Sequence, residues 1–130
     1  MIFLDTDVLI ECLRGAPAAT AWLKKESSLS TPFNIPGIVA MELVVGARDK
    51  VDLERIQKFL SSFTVVWPEA AEFAHAYQLL AKYRLASGLG IPDCLIAAMT
   101  LLRSARLYSF NLKHFQVVSE LDVQAPYTRP

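Results

Sequence analysis

The sequence contains little cysteine, no excess of charge of either sign and no long hydrophobic run. Two cysteines among 130 residues make neither a disulfide framework nor a zinc site. Because 13 basic residues balance 13 acidic ones, a nucleic-acid partner would need a local basic patch. The longest apolar stretches are too short to span a bilayer, and the N-terminus lacks the basic region and cleavage site of a signal peptide. We therefore expect a protein of the reducing cytoplasm with no membrane segment.

More than half of the residues are apolar, which predicts a packed core and a single domain over residues 1–130. Strand patterns alternate with helical patterns, and the joints between them are short. We expect strands near residues 1–4, 29–33, 64–67, 107–110 and, more weakly, 117–123. This alternation predicts an α/β three-layer sandwich, in which a mostly parallel central sheet of about five strands has helices on both faces.

The first 14 residues, MIFLDTDVLIECLR, predict a buried strand followed by a helix, with Asp5 at the junction. Ligands of open α/β sheets bind at the carboxyl ends of the strands, so a carboxylate at this junction is a candidate site residue. A structural role as the N-cap of the helix is the alternative. We expect Asp7 to lie in the first turn, on the outer side of the helix.

Two later acids are also placed where a carboxylate needs an explanation. Glu42 lies in a helical pattern whose neighbours one turn away are apolar or glycine, and an ionised group there is costly unless it is paired or binds a metal. A partner arginine, or a position at the edge of the apolar stripe, is the alternative. Asp93 follows Pro92 in the first turn of a nearly apolar helix, where the helix dipole alone favours an acid.

Polar residues also follow the strand predicted at residues 107–110. Asn111 stands where an asparagine usually belongs to a turn, and Ser109 either points to the other side of the strand or reaches the same pocket. Carboxyl ends of neighbouring parallel strands meet at one edge of a sheet. We therefore expect Asp5, Glu42 and Asp93 to converge at that edge.

Three acids in one pocket repel one another and raise one another's pKa values unless a cation neutralises them. Oxygen ligands favour hard divalent ions, so the expected cofactor is Mg²⁺ or Mn²⁺. Such a site suits hydrolysis of phosphodiester bonds, because the metal generates hydroxide and steadies the reacting oxygens. The chemistry requires no histidine, and we expect His75 and His114 to be surface or edge residues.

Four segments, in this order and over essentially the whole chain, resemble the motifs of PIN domains. They are LDTDVLIE, VAMELVVGA with its lone Glu42, IPDCLIAA and YSFNLKHF. More narrowly, the chain resembles the VapC-type toxins of bacterial and archaeal toxin–antitoxin pairs. The resemblance implies a PIN-like fold and an endoribonuclease in which Asp5, Glu42 and Asp93 bind Mg²⁺ or Mn²⁺ for RNA cleavage.

The resemblance also implies supporting residues and partners. A hydroxyl at Ser109 supports the acidic cluster, and Thr6 of the first motif is a further supporting residue. Asn111 occupies a fourth catalytic position at which the family often has aspartate, so one negative charge is lost while an oxygen ligand remains. The loss of this charge weakens the case for a tightly held second metal, and the number of metals, one or two, stays open at this point. The implied partners are an RNA substrate, a VapB-like antitoxin whose tail blocks the pocket, and a second copy in a homodimer.

Other functions remain open on the residues alone. A haloacid-dehalogenase-like phosphatase would use Asp5 as nucleophile and Asp7 as acid–base residue, but it would also need a late lysine and usually a second acidic pair. A response-regulator receiver would place its phosphate acceptor after the third strand, where the sequence reads WPE. A catalytically inactive binding module is the third alternative, because Asn111 replaces an acid.

Four basic residues are candidates for holding the phosphates of RNA: Arg14, Lys82, Arg84 and Lys113. Each is equally compatible with a solvated charge at a helix end or on the surface.

Overall fold

A computed structural model describes residues 1–27 and 32–129 of the chain. Strands and helices alternate along these residues in the following order: β1 (Ile2–Leu4), α1 (Thr6–Leu13), α2 (Pro17–Ser27), β2 (Phe33–Pro36), α3 (Gly37–Val45), α4 (Lys50–Leu60), β3 (Thr64–Val66), α5 (Ala70–Ser87), α6 (Ile91–Leu102), β4 (Arg106–Tyr108), α7 (Leu112–Phe115) and β5 (Val123–Gln124). No helix in the described part of the chain combines the length and the apolar character that a membrane crossing requires.

The five strands form one parallel sheet in the order β3-β2-β1-β4-β5, so β1 is central. Its residue Phe3 pairs with Asn34 of β2 on one side and with Leu107 of β4 on the other. The chain moves outwards through β2 to β3 and then crosses back past β1 to β4. Because such crossovers are right-handed, helices of the two halves cover opposite faces. The expected α/β sandwich is confirmed.

Two strand boundaries differ from those expected. The strand predicted at residues 29–33 lies partly outside the described residues, and β2 runs from Phe33 to Pro36. Pro36 pairs with Val66 and has an extended backbone, so α3 begins at Gly37. The last strand is confined to Val123–Gln124, because the chain before it forms α7 and a turn that bury Phe115 and Val118.

Helix α6 is the most deeply buried helix of the described chain. All seven residues from Cys94 to Thr100 are buried, and the hydroxyl of Thr100 donates a hydrogen bond to the carbonyl oxygen of Ile96 at 2.8 Å. Since no polar side chain in this run lacks a partner, the helix packs as an apolar layer. It fixes the position of Asp93, which lies in its first turn.

A buried ion pair joins the start of α5 to the end of α6. Glu72 accepts two hydrogen bonds from the Arg103 guanidinium, each at 2.7 Å, and one from the backbone N–H of Glu69 at 2.8 Å. Burial by itself raises the pKa of the Glu72 carboxyl, but these hydrogen bonds outweigh it and hold the pKa below its usual value. The side chain of Glu72 is only 4% exposed, so an unpaired charge there would be poorly solvated.

We predict that Arg103→Met destabilises the chain by about 3 kcal/mol at neutral pH, because it leaves the buried Glu72 carboxylate without its cation. The matched control is Arg106→Met, which breaks the half-exposed pair with Asp122 and should cost no more than about 0.5 kcal/mol. Urea unfolding measures both. The lowered pKa of Glu72 means that the pair stabilises the fold above the usual pKa of a glutamate and less so as the pH falls through the folded value. Equal losses of unfolding free energy in Arg103→Met and Arg106→Met would contradict a stronger stabilisation by the buried pair.

Candidate metal centre

Asp5 lies at the carboxyl end of the central strand and is held there by neighbours on two segments. It follows β1 directly, and its backbone N–H donates to the carbonyl oxygen of Tyr108 in β4 at 3.0 Å. Its Oδ1 accepts from the backbone N–H of Thr6 at 2.8 Å, and its Oδ2 accepts from the hydroxyl of Ser109 at 2.7 Å. Asp5 is therefore both the predicted N-cap of α1 and a buried carboxylate fixed at the end of the sheet.

Ser109 and Thr6 connect this carboxylate to the rest of the site. Ser109 is fully buried, and its Oγ also accepts the backbone N–H of Asn111 at 3.0 Å. Of the two positions open for Ser109 from the sequence, the structure therefore has the one inside the pocket. The hydroxyl of Thr6 donates to Oε1 of Glu42 on α3 at 3.2 Å. Direct contacts thus bring Asp5, Thr6, Glu42 and Ser109 together from three separate segments.

The pKa values show that Asp93 belongs to the same neighbourhood. Burial raises the pKa of Asp5 to about 7, with further increases from the charges of Asp7 and Asp93, against the hydrogen bonds from Ser109 and Thr6. Burial also raises the pKa of Glu42, and Asp93 raises it further, while the Thr6 hydroxyl lowers it. Because one charge acts on both carboxyls, Asp93 lies within electrostatic reach of each.

His114 contacts two predicted site residues, and sequence reasoning missed it. Its Nδ1 lies 3.3 Å from Oδ2 of Asp93 and 3.0 Å from Nδ2 of Asn111. We expected a surface or edge residue, and the side chain is 28% exposed, but the contacts with Asp93 and Asn111 were not predicted. The available signal was the spacing, since residues three apart in a helical turn share a face. The short helix α7, with Asn111 at its N-cap, was not predicted.

The prediction that Asp7 lies on the outer side of α1 is wrong. Its Oδ2 accepts the backbone N–H of Phe110 at 3.1 Å, and its Oδ1 is buried with no hydrogen-bond partner among the described residues. Burial raises its pKa more than the Phe110 hydrogen bond lowers it. The side chain turns inwards because α1 starts beside the segment that follows β4. In this position Asp7 holds that segment, which argues against the acid–base role in the phosphatase alternative.

The oxygen donors of the acidic site suit a hard divalent cation, although the carboxylates do not lie close enough together to form a complete metal site. Within residues 1–27 and 32–129, no three acidic, histidine or cysteine side chains lie close enough to form a ready-made metal site. The donors in the pocket are nevertheless carboxylate and hydroxyl oxygens, and the ion pairs of the described chain do not include Asp5 or Glu42. Burial is the main cause of the raised pKa values of Asp5 and Glu42, and repulsion from neighbouring carboxylates adds to it. Without a cation, the same repulsion favours separation of the groups.

The predicted phosphate-binding residues differ in how much freedom they have. Arg14 lines a cavity of about 490 Å³ that also contains Glu42. Arg84 instead caps α5, where its Nη1 donates to the carbonyl oxygens of Gly88 at 2.8 Å and Leu89 at 3.2 Å. These bonds commit the Arg84 guanidinium to the end of its own helix.

The other two candidates lie on the surface, Lys82 beside the ring of Tyr83 and Lys113 on α7. Sequence reasoning missed Arg48 and Arg55, which line the cavity of Arg14 and Glu42. Both form ion pairs with Asp52, at 3.6 Å and 3.2 Å. A larger cavity, of about 750 Å³, lies at the amino ends of β2 and β3 and contains none of the site acids.

Comparisons with known proteins show which family and which fold this chain shares. The model of the PIN domain family matches residues 2–121. Ribonuclease VapC19 of Mycobacterium tuberculosis is 32% identical over 130 residues, which cover 98% of this chain and 100% of that protein. Ribonuclease VapC10 of the same organism is 30% identical over 131 residues, which cover 100% of this chain and 96% of that protein. A solved toxin–antitoxin complex from Klebsiella pneumoniae has a chain that matches with a TM-score of 0.78 and 26% identity, over 98% of each chain.

The raised pKa of Asp5 predicts how stability depends on pH when no metal is bound. The folded chain holds this proton more tightly than the unfolded chain, so stability falls as the pH rises from 3.8 to about 7 and then stays level. We expect a loss on the order of 2–4 kcal/mol over this window. Asp5→Asn stays neutral and should therefore be more stable than the native chain at about pH 8.

Denaturant unfolding in EDTA at several pH values measures this difference. The control is Glu54→Gln, which removes an exposed carboxylate from α4 and should follow the native pH dependence. An Asp5→Asn variant that is less stable than the native chain above pH 7 would show that the Asp5 charge is not destabilising.

Proposed function

We propose that this chain, which belongs to the PIN domain family, is a metal-dependent endoribonuclease that acts as the toxin of a toxin–antitoxin pair. The observation that carries the proposal is the acidic pocket at the end of β1. Asp5, Glu42 and Asp93 come from distant segments, and the pKa values of Asp5 and Glu42 are raised mainly by burial and further by the charge of Asp93. A site of this kind is stable and useful once a divalent cation balances its charge.

The cation in this proposal is Mg²⁺ or Mn²⁺, held by Asp5, Glu42 and Asp93, with Asn111 as the fourth catalytic position. The oxygen donors of the pocket support this choice. When bound, the cation supplies a Lewis acid and lowers the pKa of water to produce the attacking hydroxide. Because Asn111 is neutral, the pocket has one negative charge fewer than four acids would give, so we propose a single tightly held ion.

The chain's own residues orient the carboxylates for this role. The buried hydroxyl of Ser109 donates to one oxygen of Asp5 and accepts the backbone N–H of Asn111, so it ties the end of β1 to the segment after β4. The hydroxyl of Thr6 orients Glu42 in the same way from the start of α1. Each carboxylate keeps free lone pairs for a cation, since the hydrogen bonds use only part of its acceptor capacity.

RNA would reach the pocket along the neighbouring cavity. Arg14, Arg48 and Arg55 line it together with Glu42, and guanidinium groups suit phosphate oxygens. Because the total charge of the chain is balanced, RNA binding requires a local basic patch, and these three arginines supply one. Asp52 already pairs with Arg48 and Arg55, so Arg14 is the cation of this cavity that has no carboxylate partner among the described residues.

The proposed partners are a VapB-like antitoxin and a second copy of the chain. Two groups of exposed apolar side chains support the presence of protein partners. One group lies on α3 and after β3, and the other lies on α5 and at the start of α6: Met41, Val45 and Trp67; Phe73, Tyr77 and Ile91. An antitoxin cation inserted among the carboxylates would inhibit the enzyme by replacing the metal. A cytoplasmic location completes the proposal and suits two free cysteines.

We predict that Mg²⁺ or Mn²⁺ supports cleavage of RNA by the full chain, that EDTA abolishes cleavage and that excess Mn²⁺ restores it. Glu42→Gln keeps the shape of the side chain but loses a ligand charge, so cleavage should fall roughly 10–100-fold or more. Gel analysis of end-labelled RNA measures both effects. Undiminished cleavage in EDTA would exclude the metal mechanism. Metal and RNA binding without cleavage of any RNA would favour the inactive binding module.

We predict that Arg14→Glu weakens RNA binding and lowers the slope of affinity against salt concentration by about one to two charges. Lys82→Glu makes the same change of charge at an exposed residue that does not line the cavity, so it is the matched control. Fluorescence anisotropy over a range of salt concentrations, with EDTA present to stop cleavage, separates the two variants. Equal effects at both positions would indicate general electrostatic attraction rather than binding along this cavity.

A further inference from the structure

We propose that His114 is a ligand of the divalent cation, so that an imidazole nitrogen beside Asp93 gives the site a preference for Mn²⁺ over Mg²⁺. The inference rests on the proposed metal-dependent function and adds a nitrogen donor to an otherwise all-oxygen set. It also explains how a pocket with a neutral residue at position 111 holds its ion.

The placement of His114 is the first observation. Nδ1 lies 3.3 Å from Oδ2 of Asp93, and both side chains are about one quarter exposed, at 28% and 26%. The same Nδ1 lies 3.0 Å from Nδ2 of Asn111. These residues come from the start of α6 and from α7, so the tertiary structure, and not sequence proximity alone, brings the acid to the imidazole.

The spacing of these atoms fits a coordination shell. Two donors that bind an octahedral ion at about 2.1 Å, at right angles to each other, lie about 3.0 Å apart. The separations of 3.3 Å and 3.0 Å around Nδ1 are close to this value. Turning over the amide of Asn111 exchanges Nδ2 for Oδ1, since the two ends of an amide have nearly the same shape. Asp93, His114 and Asn111 can then each direct a lone pair at one ion.

Hydrogen bonding in the present arrangement satisfies only one of the two contacts. If Nδ1 accepts from the Asn111 amide, it carries no proton for Asp93, and two electron-rich atoms face each other at 3.3 Å. If Nδ1 carries a proton for Asp93, that N–H faces the N–H of Asn111. Two arrangements resolve the conflict once the Asn111 amide is turned over. In one, a cation lies between the groups, because the carboxylate, the imidazole and the amide oxygen all act as electron-pair donors. In the other, Nδ1–H lies between the carboxylate and the amide oxygen, and the experiment below distinguishes the two.

An imidazole donor changes which ion is preferred. Mg²⁺ takes oxygen ligands and retains water, whereas transition ions accept nitrogen more readily. A pocket made only of carboxylates would distinguish poorly between Mg²⁺ and Mn²⁺. With His114 in the coordination shell, the pocket should bind Mn²⁺ more tightly, and removal of the imidazole should remove most of that difference.

The test is pulsed EPR on Mn²⁺ bound to the full chain without a polyhistidine tag. The chain has only two histidines, so nitrogen coupling from an imidazole to Mn²⁺ comes from His114 or from His75. We expect the coupling in the native chain, its loss in His114→Asn, and its retention in the control His75→Asn on α5. Calorimetry should show that His114→Asn lowers Mn²⁺ affinity roughly tenfold, while Mg²⁺ affinity changes less than about twofold.

The results distinguish failure of the proposed His114 ligand from failure of the proposed metal-dependent function. Bound Mn²⁺ without imidazole coupling in the native chain overturns the role of His114 and leaves the carboxylate site intact. That result would mean that a protonated Nδ1 shares its hydrogen between Asp93 and a turned-over Asn111 amide. Absence of Mn²⁺ binding overturns the metal-dependent function as well. If the native chain shows the coupling, either variant assigns it, because each retains only one of the two histidines. Failure of one variant to fold therefore does not prevent a decision, and coupling that is lost in His75→Asn or kept in His114→Asn would overturn the proposal.

Discussion

The site depends on partly buried carboxylates at the end of β1, where no arginine or lysine of residues 1–27 and 32–129 forms an ion pair with Asp5 or Glu42. Asp5 is 8% exposed and its pKa is raised to about 7 by burial and by two neighbouring acids. The hydrogen bonds from Thr6 and Ser109 hold the group in place without neutralising it. A fold that keeps such a group stores unfavourable electrostatic energy, which a divalent cation releases on binding.

Glu72 shows how the same chain treats a buried acid that has a structural role. Arg103 forms two hydrogen bonds with it, and its pKa lies below the usual value despite burial. Asp5 and Glu72 are thus both buried carboxyls with opposite pKa shifts. Glu72 has a cationic partner, Arg103, whereas Asp5 has none in the part of the chain that the structure describes. This contrast separates a residue that stabilises helix packing from one that is prepared for a ligand.

Sheet order determines which residues share the site. Since β1 is central and β4 is its neighbour, the residues that follow these strands, Asp5 and Ser109, meet directly although they are 104 residues apart in the chain. Helix α3 carries Glu42, which accepts a hydrogen bond from Thr6, and helix α6 carries Asp93, whose charge acts on Asp5 and Glu42. The position of His114 at the same edge depends on one further turn, α7, which fixes the imidazole beside Asp93.

The sequence by itself determined the alternation of strands and helices, and thus the α/β sandwich, because hydrophobic periodicity is a local property of the chain. It also singled out Asp5, Glu42 and Asp93 as candidate site residues, since acids at strand ends or on apolar faces stand out in the sequence. Only the tertiary structure decided that Asp7 turns inwards to Phe110 and that His114 faces Asp93. Both contacts depend on how distant segments of the chain pack against each other. Such contacts between segments leave no periodic signal in the sequence.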